Sequence, residues 1–78
     1  MAENKIPEVH FILKENSTDE GETILSISYP LNALGGLATV GDLIQLDKKT
    51  YRIYLRMYDY NNIDTQLKVY LYIIRVNE

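Results

Sequence analysis

The 78-residue sequence has no cysteine and no tryptophan, and only one histidine, one phenylalanine and two prolines. Without cysteine there can be no disulfide and no zinc-thiolate site. An unstapled chain of this size must be held by its core or by self-association. No run approaches the ~20 apolar residues of a membrane-spanning helix. The start, Met1-Ala2-Glu3-Asn4-Lys5, has neither the charged nor the apolar region of a secretory leader. The expected setting is therefore the cytoplasm, with no membrane partner. Hydrophobic residues still make up 46%, too many for a disordered chain. One domain of modest stability is the natural expectation, since a chain this short buries only about 60–65% of its unfolded surface.

Charge is ordinary in amount, 24% of residues, and unevenly spread. Residues 1–39 carry six acids against Lys5 and Lys14, a balance of −4. Residues 40–77 carry six bases against four acids, +2, and Glu78 brings the total to −3. The acidic excess centres on residues 15–22, the basic one on the second half. Neither is strong enough to predict nucleic-acid binding.

What the chain has is strand periodicity. Tyr51-Arg52-Ile53-Tyr54-Leu55-Arg56-Met57-Tyr58 alternates with a period of two, which places Tyr51, Ile53, Leu55 and Met57 on one face. Its partner is the run from Gln66 to Val76. Ahead of this pair lie strands at Val9-His10-Phe11-Ile12-Leu13-Lys14, Thr23-Ile24-Leu25-Ser26-Ile27-Ser28-Tyr29 and Leu43-Ile44-Gln45-Leu46. Val9, Phe11 and Leu13 share a face, as do Leu25, Ile27 and Tyr29. Asn16 to Gly21, Asp47-Lys48-Lys49 and Asn61-Asn62 are turn chemistry. Pro30 should stop the second strand. Residues 31–40, with Gly35 and Gly36 paired, read as a crossing loop anchored by leucines. In the last strand Arg75 falls on the apolar parity, so a β-bulge is expected near Ile73-Ile74.

These signs predict an all-β fold: a flexible arm over residues 1–7, then one small five-stranded antiparallel barrel over 8–78. An SH3-like barrel is preferred to an OB-like one, because only three residues join the third and fourth strands. The run Val40-Gly41-Asp42-Leu43-Ile44-Gln45-Leu46-Asp47-Lys48-Lys49-Thr50-Tyr51-Arg52-Ile53 resembles the hairpin of small SH3-like barrel proteins of bacterial and phage genomes. The resemblance covers about a fifth of the chain. It implies a fold and an origin in a phage or mobile element, and no activity.

Catalytic chemistry is hard to assemble. His10 is out of phase with the apolar residues of its strand, so it faces solvent or a strand neighbour. Ser26 or Ser28 could approach it, but a nucleophile needs a base and an orienting group in fixed geometry. Asp42, Asp47, Asp59 and Asp64 are spread over several connections. Asp59-Tyr60-Asn61-Asn62-Ile63-Asp64 lacks the ligand order of a calcium loop. Gly35-Gly36 lacks the Lys-Ser/Thr that completes a phosphate loop. The expectation is a protein that is not an enzyme and uses no cofactor or metal.

Tyrosine is the abundant exception. Six of the seven lie between Tyr51 and Tyr72. If the last two strands pair with residue numbers summing to about 126, Tyr54 meets Tyr72, Arg56 meets Tyr70 and Tyr58 meets Lys68. Such pairs stabilise a hairpin by about 0.2–1 kcal/mol each. Tyrosine and arginine are also the residues enriched at protein interfaces. The candidate interaction site is therefore Arg52, Tyr54, Arg56, Tyr58, Lys68, Tyr70 and Tyr72. The expected partner is another copy or a different protein. A small acidic inhibitor of a host enzyme, acting through residues 15–22, is the first alternative. A single-stranded nucleic-acid binder is the second, and the acidic total disfavours it.

Overall fold

The computed structural model describes residues 6–16, 18–29, 36–61 and 66–76. They form five strands: β1 (Glu8–Leu13), β2 (Glu22–Ser28), β3 (Leu43–Leu46), β4 (Lys49–Asp59) and β5 (Lys68–Arg75). All five agree with the periodicity. β4 and β5 are rich in tyrosine, isoleucine and valine, which suit a pleated surface.

The strands make one curled sheet in the order β2-β1-β5-β4-β3. Three pairs are antiparallel. The fourth, β1 with β5, is parallel, so the sheet is mixed where an antiparallel one was expected. Nothing local specifies that pair, because the two strands come from opposite ends of the chain. Glu8 N–H donates to Leu67 O (3.0 Å) and Lys14 N–H to Ile73 O (3.1 Å), extending it at both ends.

The core lies on one face, called inner here. Val9, Phe11, Ile53, Val69, Leu71, Ile73, Tyr51 and Leu37 are 0–6% exposed. Leu37 is the one leucine of the crossing loop among the described residues, and it is buried as an anchor would be; residues 30–35, with Pro30 and the glycine Gly35, lie outside the described residues. The expected arm is described only from Ile6. There Pro7 is buried, its carbonyl accepts from Tyr29 N–H (2.9 Å), and Gln66 Nε2 donates to Ile6 O (2.9 Å).

Turn residues behave as their chemistry requires. Asp47 and Lys48 both have positive φ, 51° and 65°, between the paired Leu46 and Lys49. That is the backbone of a two-residue hairpin whose twist matches its strands. At Gly21 φ is +86°, and a Cβ there would meet Ile12 Cγ2 at 2.7 Å, so glycine is required twice over.

The bulge is not at Ile73-Ile74. Strand β5 alternates without a break, and Arg75 reaches solvent at the strand end, opposite the buried Tyr51. The irregularity is in β4: Ile53 pairs with Ile73 but Leu55 with Tyr72, which leaves Tyr54 as the extra residue. Residue numbers sum to 126 before it and to 127 after it. One added residue exchanges the faces of everything beyond. Leu55 and Met57, expected in the core, are instead on the outer face and 48% and 43% exposed. A second irregularity between Phe11 and Ile12 makes Ile24 the extra residue of β2.

Candidate functional site

The bulge divides the seven expected site residues. Arg52, Tyr54, Lys68, Tyr70 and Tyr72 lie on the outer face. Arg56 and Tyr58 pair with the buried Leu71 and Val69, so they belong to the inner side. The expected pairs change accordingly. Leu55 faces Tyr72, Met57 faces Tyr70, Arg56 faces Leu71 and Tyr58 faces Val69. Tyr54 and Tyr72 still touch, with ring centroids 6.3 Å apart and planes tilted by 44°.

On the inner rim, Arg56 and Tyr58 form a short stack with Tyr60. The Arg56 Cζ lies 5.4 Å from the Tyr58 ring centre, and the Tyr58 and Tyr60 rings are 6.1 Å apart at 26°. A cation beside a ring contributes about 0.5–1 kcal/mol at an exposed site.

The outer face is broader and more apolar than the sequence suggested. Leu43 (55%), Leu55, Met57 and Tyr54 (39%) are all exposed, and Ile12, Tyr70, Tyr72 and Ile74 are half-buried among them. The patch contains a shallow pocket of about 530 Å³, flanked by Lys14, Tyr54, Met57, Tyr72 and Ile74. The Tyr54 hydroxyl donates to Lys14 O (2.8 Å) and so fixes the ring at the pocket's edge. Partial burial, then the nearby Tyr72 and Asp19, hold that hydroxyl above the usual phenol range.

His10 is more connected than expected. Tyr29 N–H bonds to Pro7 O, so the pair of residues 7 and 29 is hydrogen-bonded, and counting along the ladder puts His10 and Ser26 on the other phase. There opposite Cα atoms are about 4.5 Å apart and side chains are close. His10 Nδ1 accordingly lies 2.8 Å from Ser26 Oγ. Its ring stacks on Tyr70 (5.4 Å, 22°), and Nε2 lies 2.6 Å from Glu8 Oε1. Serine, histidine and carboxylate are the components of an activated nucleophile. The arrangement falls short of one in two respects. Buried Nε2 has no aligned hydrogen-bond partner despite the short approach to Glu8, and none of the three residues flanks the pocket. It is better described as a polar rib that ties β2 to β1 and β5.

The acidic groups are used as turn caps. Asp42 Oδ2 accepts from Thr39 N–H (2.8 Å), and Asp59 Oδ1 from Asn61 N–H (2.9 Å). Asp19 accepts from Gly21 N–H (3.0 Å) and Glu15 N–H (3.4 Å), and these bonds hold its carboxyl below the usual range. Asn62 to Asp64 lie outside the described residues. Among the described residues, no three His, Asp or Glu side chains converge on a point that could hold a metal ion. No described helix is long and apolar enough to cross a membrane.

The chain matches no protein-family model, no curated protein and no solved structure.

Proposed function

We propose that this chain is a non-enzymatic protein-interaction module that binds a second copy of itself through the outer face of its sheet. One observation carries the reading: Leu43, Tyr54, Leu55 and Met57 are all 39–55% exposed on the outer face, the last three around one pocket. Contiguous apolar surface of this kind is what interfaces use. Tyr70 and Tyr72 add rigid aromatic area, and Arg52 and Lys68 supply a charged rim. A small domain with no staple gains stability when that surface is covered by another copy.

The same reading takes the fold as an SH3-like small barrel of phage or mobile-element origin, working in the cytoplasm. The support is the hairpin of residues 40–53. The inhibitor reading has less behind it, because Asp19 is already engaged by its own loop. A nucleic-acid reading would rest on Arg56, Tyr58 and Tyr60, one cation beside two rings in a chain of charge −3.

The test is the solution mass of wild type and of the double variant Tyr54→Ala/Tyr72→Ala, by light scattering over a concentration series that reaches well above micromolar. The wild type should be a dimer that the double variant loses. An unchanged mass would end the proposal.

A further inference from the structure

Resting on the self-association reading, we infer the geometry of the pair. Two copies pack outer face to outer face with their strands antiparallel, about a two-fold axis that crosses the strands between the His10 and Ile12 positions.

The argument begins with how the register orders the outer face. Residues opposite one another across the strands form four rows. The first is Ser28, Glu8, Lys68 and Asp59. The second is Ser26, His10, Tyr70 and Met57, and the third is Thr23, Ile12, Tyr72 and Leu55. The fourth is Lys14, Ile74, Arg52 and Leu43, with Lys14 placed by its bond to Ile73 O. Charge therefore sits at the two ends and apolar surface in the middle. The first row sums to −1; the fourth sums to +2, or +1 when Asp19 of the neighbouring loop, which acts on Lys14, is counted with it.

Within the chain these charges have little direct pairing: Asp19 acts on Lys14, but from beyond 4 Å. Among the described residues, none of Lys14, Arg52, Lys68 and Asp59 lies within 4 Å of an opposite charge; Glu8 touches only His10. A two-fold axis across the strands lays the first row of one copy on the fourth row of the other. Glu8 then meets Lys14 and Asp59 meets Arg52, each contact occurring twice, as an isologous interface requires. Met57 covers Leu55, and Tyr70 covers Tyr72. The tilt of about 30° between packed sheets is within the reach of lysine and arginine side chains. An axis along the strands would lay each row on its own equivalent. That would gather Lys14 and Arg52 of both copies at one end, a like-charge arrangement that complexes avoid.

Size sets the expected strength. Laid flat, four strands about 4.8 Å apart and four rows about 6.8 Å apart would cover about 500 Å² per copy, and the convex curl of the outer face reduces that. A total below about 1,000 Å² belongs with weak, transient interfaces. The association should therefore be micromolar and visible only in a concentration series.

The experiment is sedimentation velocity over such a series. Arg52→Glu and Asp59→Lys should each weaken dimerisation about tenfold or more. Mixed together, the two variants should form a heterodimer of near wild-type strength. Each reversed charge then faces its opposite, and the untouched Asp59 and Arg52 face each other. Because Asp59 also caps Asn61, the pair Glu8→Lys and Lys14→Glu gives an independent version of the same test. Weakening without recovery on mixing would overturn this geometry and leave self-association standing. So would variants that dimerise as well as wild type. A wild type that stays monomeric throughout would overturn both.

Discussion

The two faces of this one sheet are built from similar side chains and treat them in opposite ways. Ile53, Val69, Leu71 and Ile73 on the inner face are fully buried, whereas Leu55 and Met57, two and four residues beyond Ile53, are nearly half exposed. Composition does not separate the two sets. A single extra residue, Tyr54, does. Up to Ile53 the odd-numbered residues of β4 face the core; past Tyr54 the even-numbered ones take the inner side, which turns Arg56 and Tyr58 to the inner rim and sends Leu55 and Met57 out. A bulge thus determines which apolar groups build the core and which are offered to a partner.

One substitution on each face should separate the two most clearly. Leu71→Ala should cost about 2–5 kcal/mol, from lost transfer energy and a residual cavity. That is most of what a domain of this size has. Leu55→Ala should change the unfolding free energy of the monomer by about 0.5 kcal/mol or less. Urea denaturation at a concentration low enough to keep the chain monomeric measures both. Equal losses would mean the faces are not distinct.

Deleting Tyr54 comes next in size. Without it Leu55 follows Ile53 directly, and every later residue of β4 keeps its face and its partner on β5. The chain should still fold cooperatively, at a cost of about 1–2 kcal/mol for the lost ring contact and the hydroxyl bond to Lys14 O. A deletion variant that does not unfold cooperatively would show that the bulge shapes the sheet as well as its register.

The smallest expected effect is electrostatic. The carboxyl of Asp19 is held low in the folded chain, first by Gly21 N–H and then by Glu15 N–H. A group with a depressed folded pKa stabilises above its unfolded value, near 3.8, and that stabilisation is lost as pH falls through the folded value. Asp19→Asn should therefore be slightly less stable than wild type at pH 6. The gap should close below about pH 4. A gap that persists in acid would assign the effect to the loop's shape instead of its charge.

Much of the fold could be read from the residues. All five strands and the Asp47-Lys48 turn follow from period and turn chemistry, which are local properties. The parallel pair and the two bulges could not be read that way. The parallel contact between β1 and β5 joins distant segments, and only the packing of the whole sheet decides it. The bulge at Tyr54 interrupts a run whose alternation looks complete, Tyr51 to Tyr58, so the pattern itself conceals it. The misfit at Arg75 suggested that a bulge existed but pointed to the wrong strand. For the candidate face the tyrosines pointed to β4 and β5, where five of the seven named residues share the outer side. The exposed leucines and methionine were missed because each occupied an apparent core position. The approach of Ser26 to His10 was foreseen as a possibility; the involvement of Glu8 was not.

The parallel pairing of the first and last strands also bears on how the molecule is made. β1 and β5 lie in the interior of the sheet, and β5 joins the β1–β2 hairpin to the β3–β4 hairpin. Until β5 has been synthesised, the first hairpin has nothing to pack against on its inner side. A two-stranded ribbon is at best marginal in water. Closing the sheet then requires joining segments some 60 residues apart, the kind of non-local step that slows folding. During synthesis the chain should therefore stay open and vulnerable to proteases, then fold in one late step once its final strand is free.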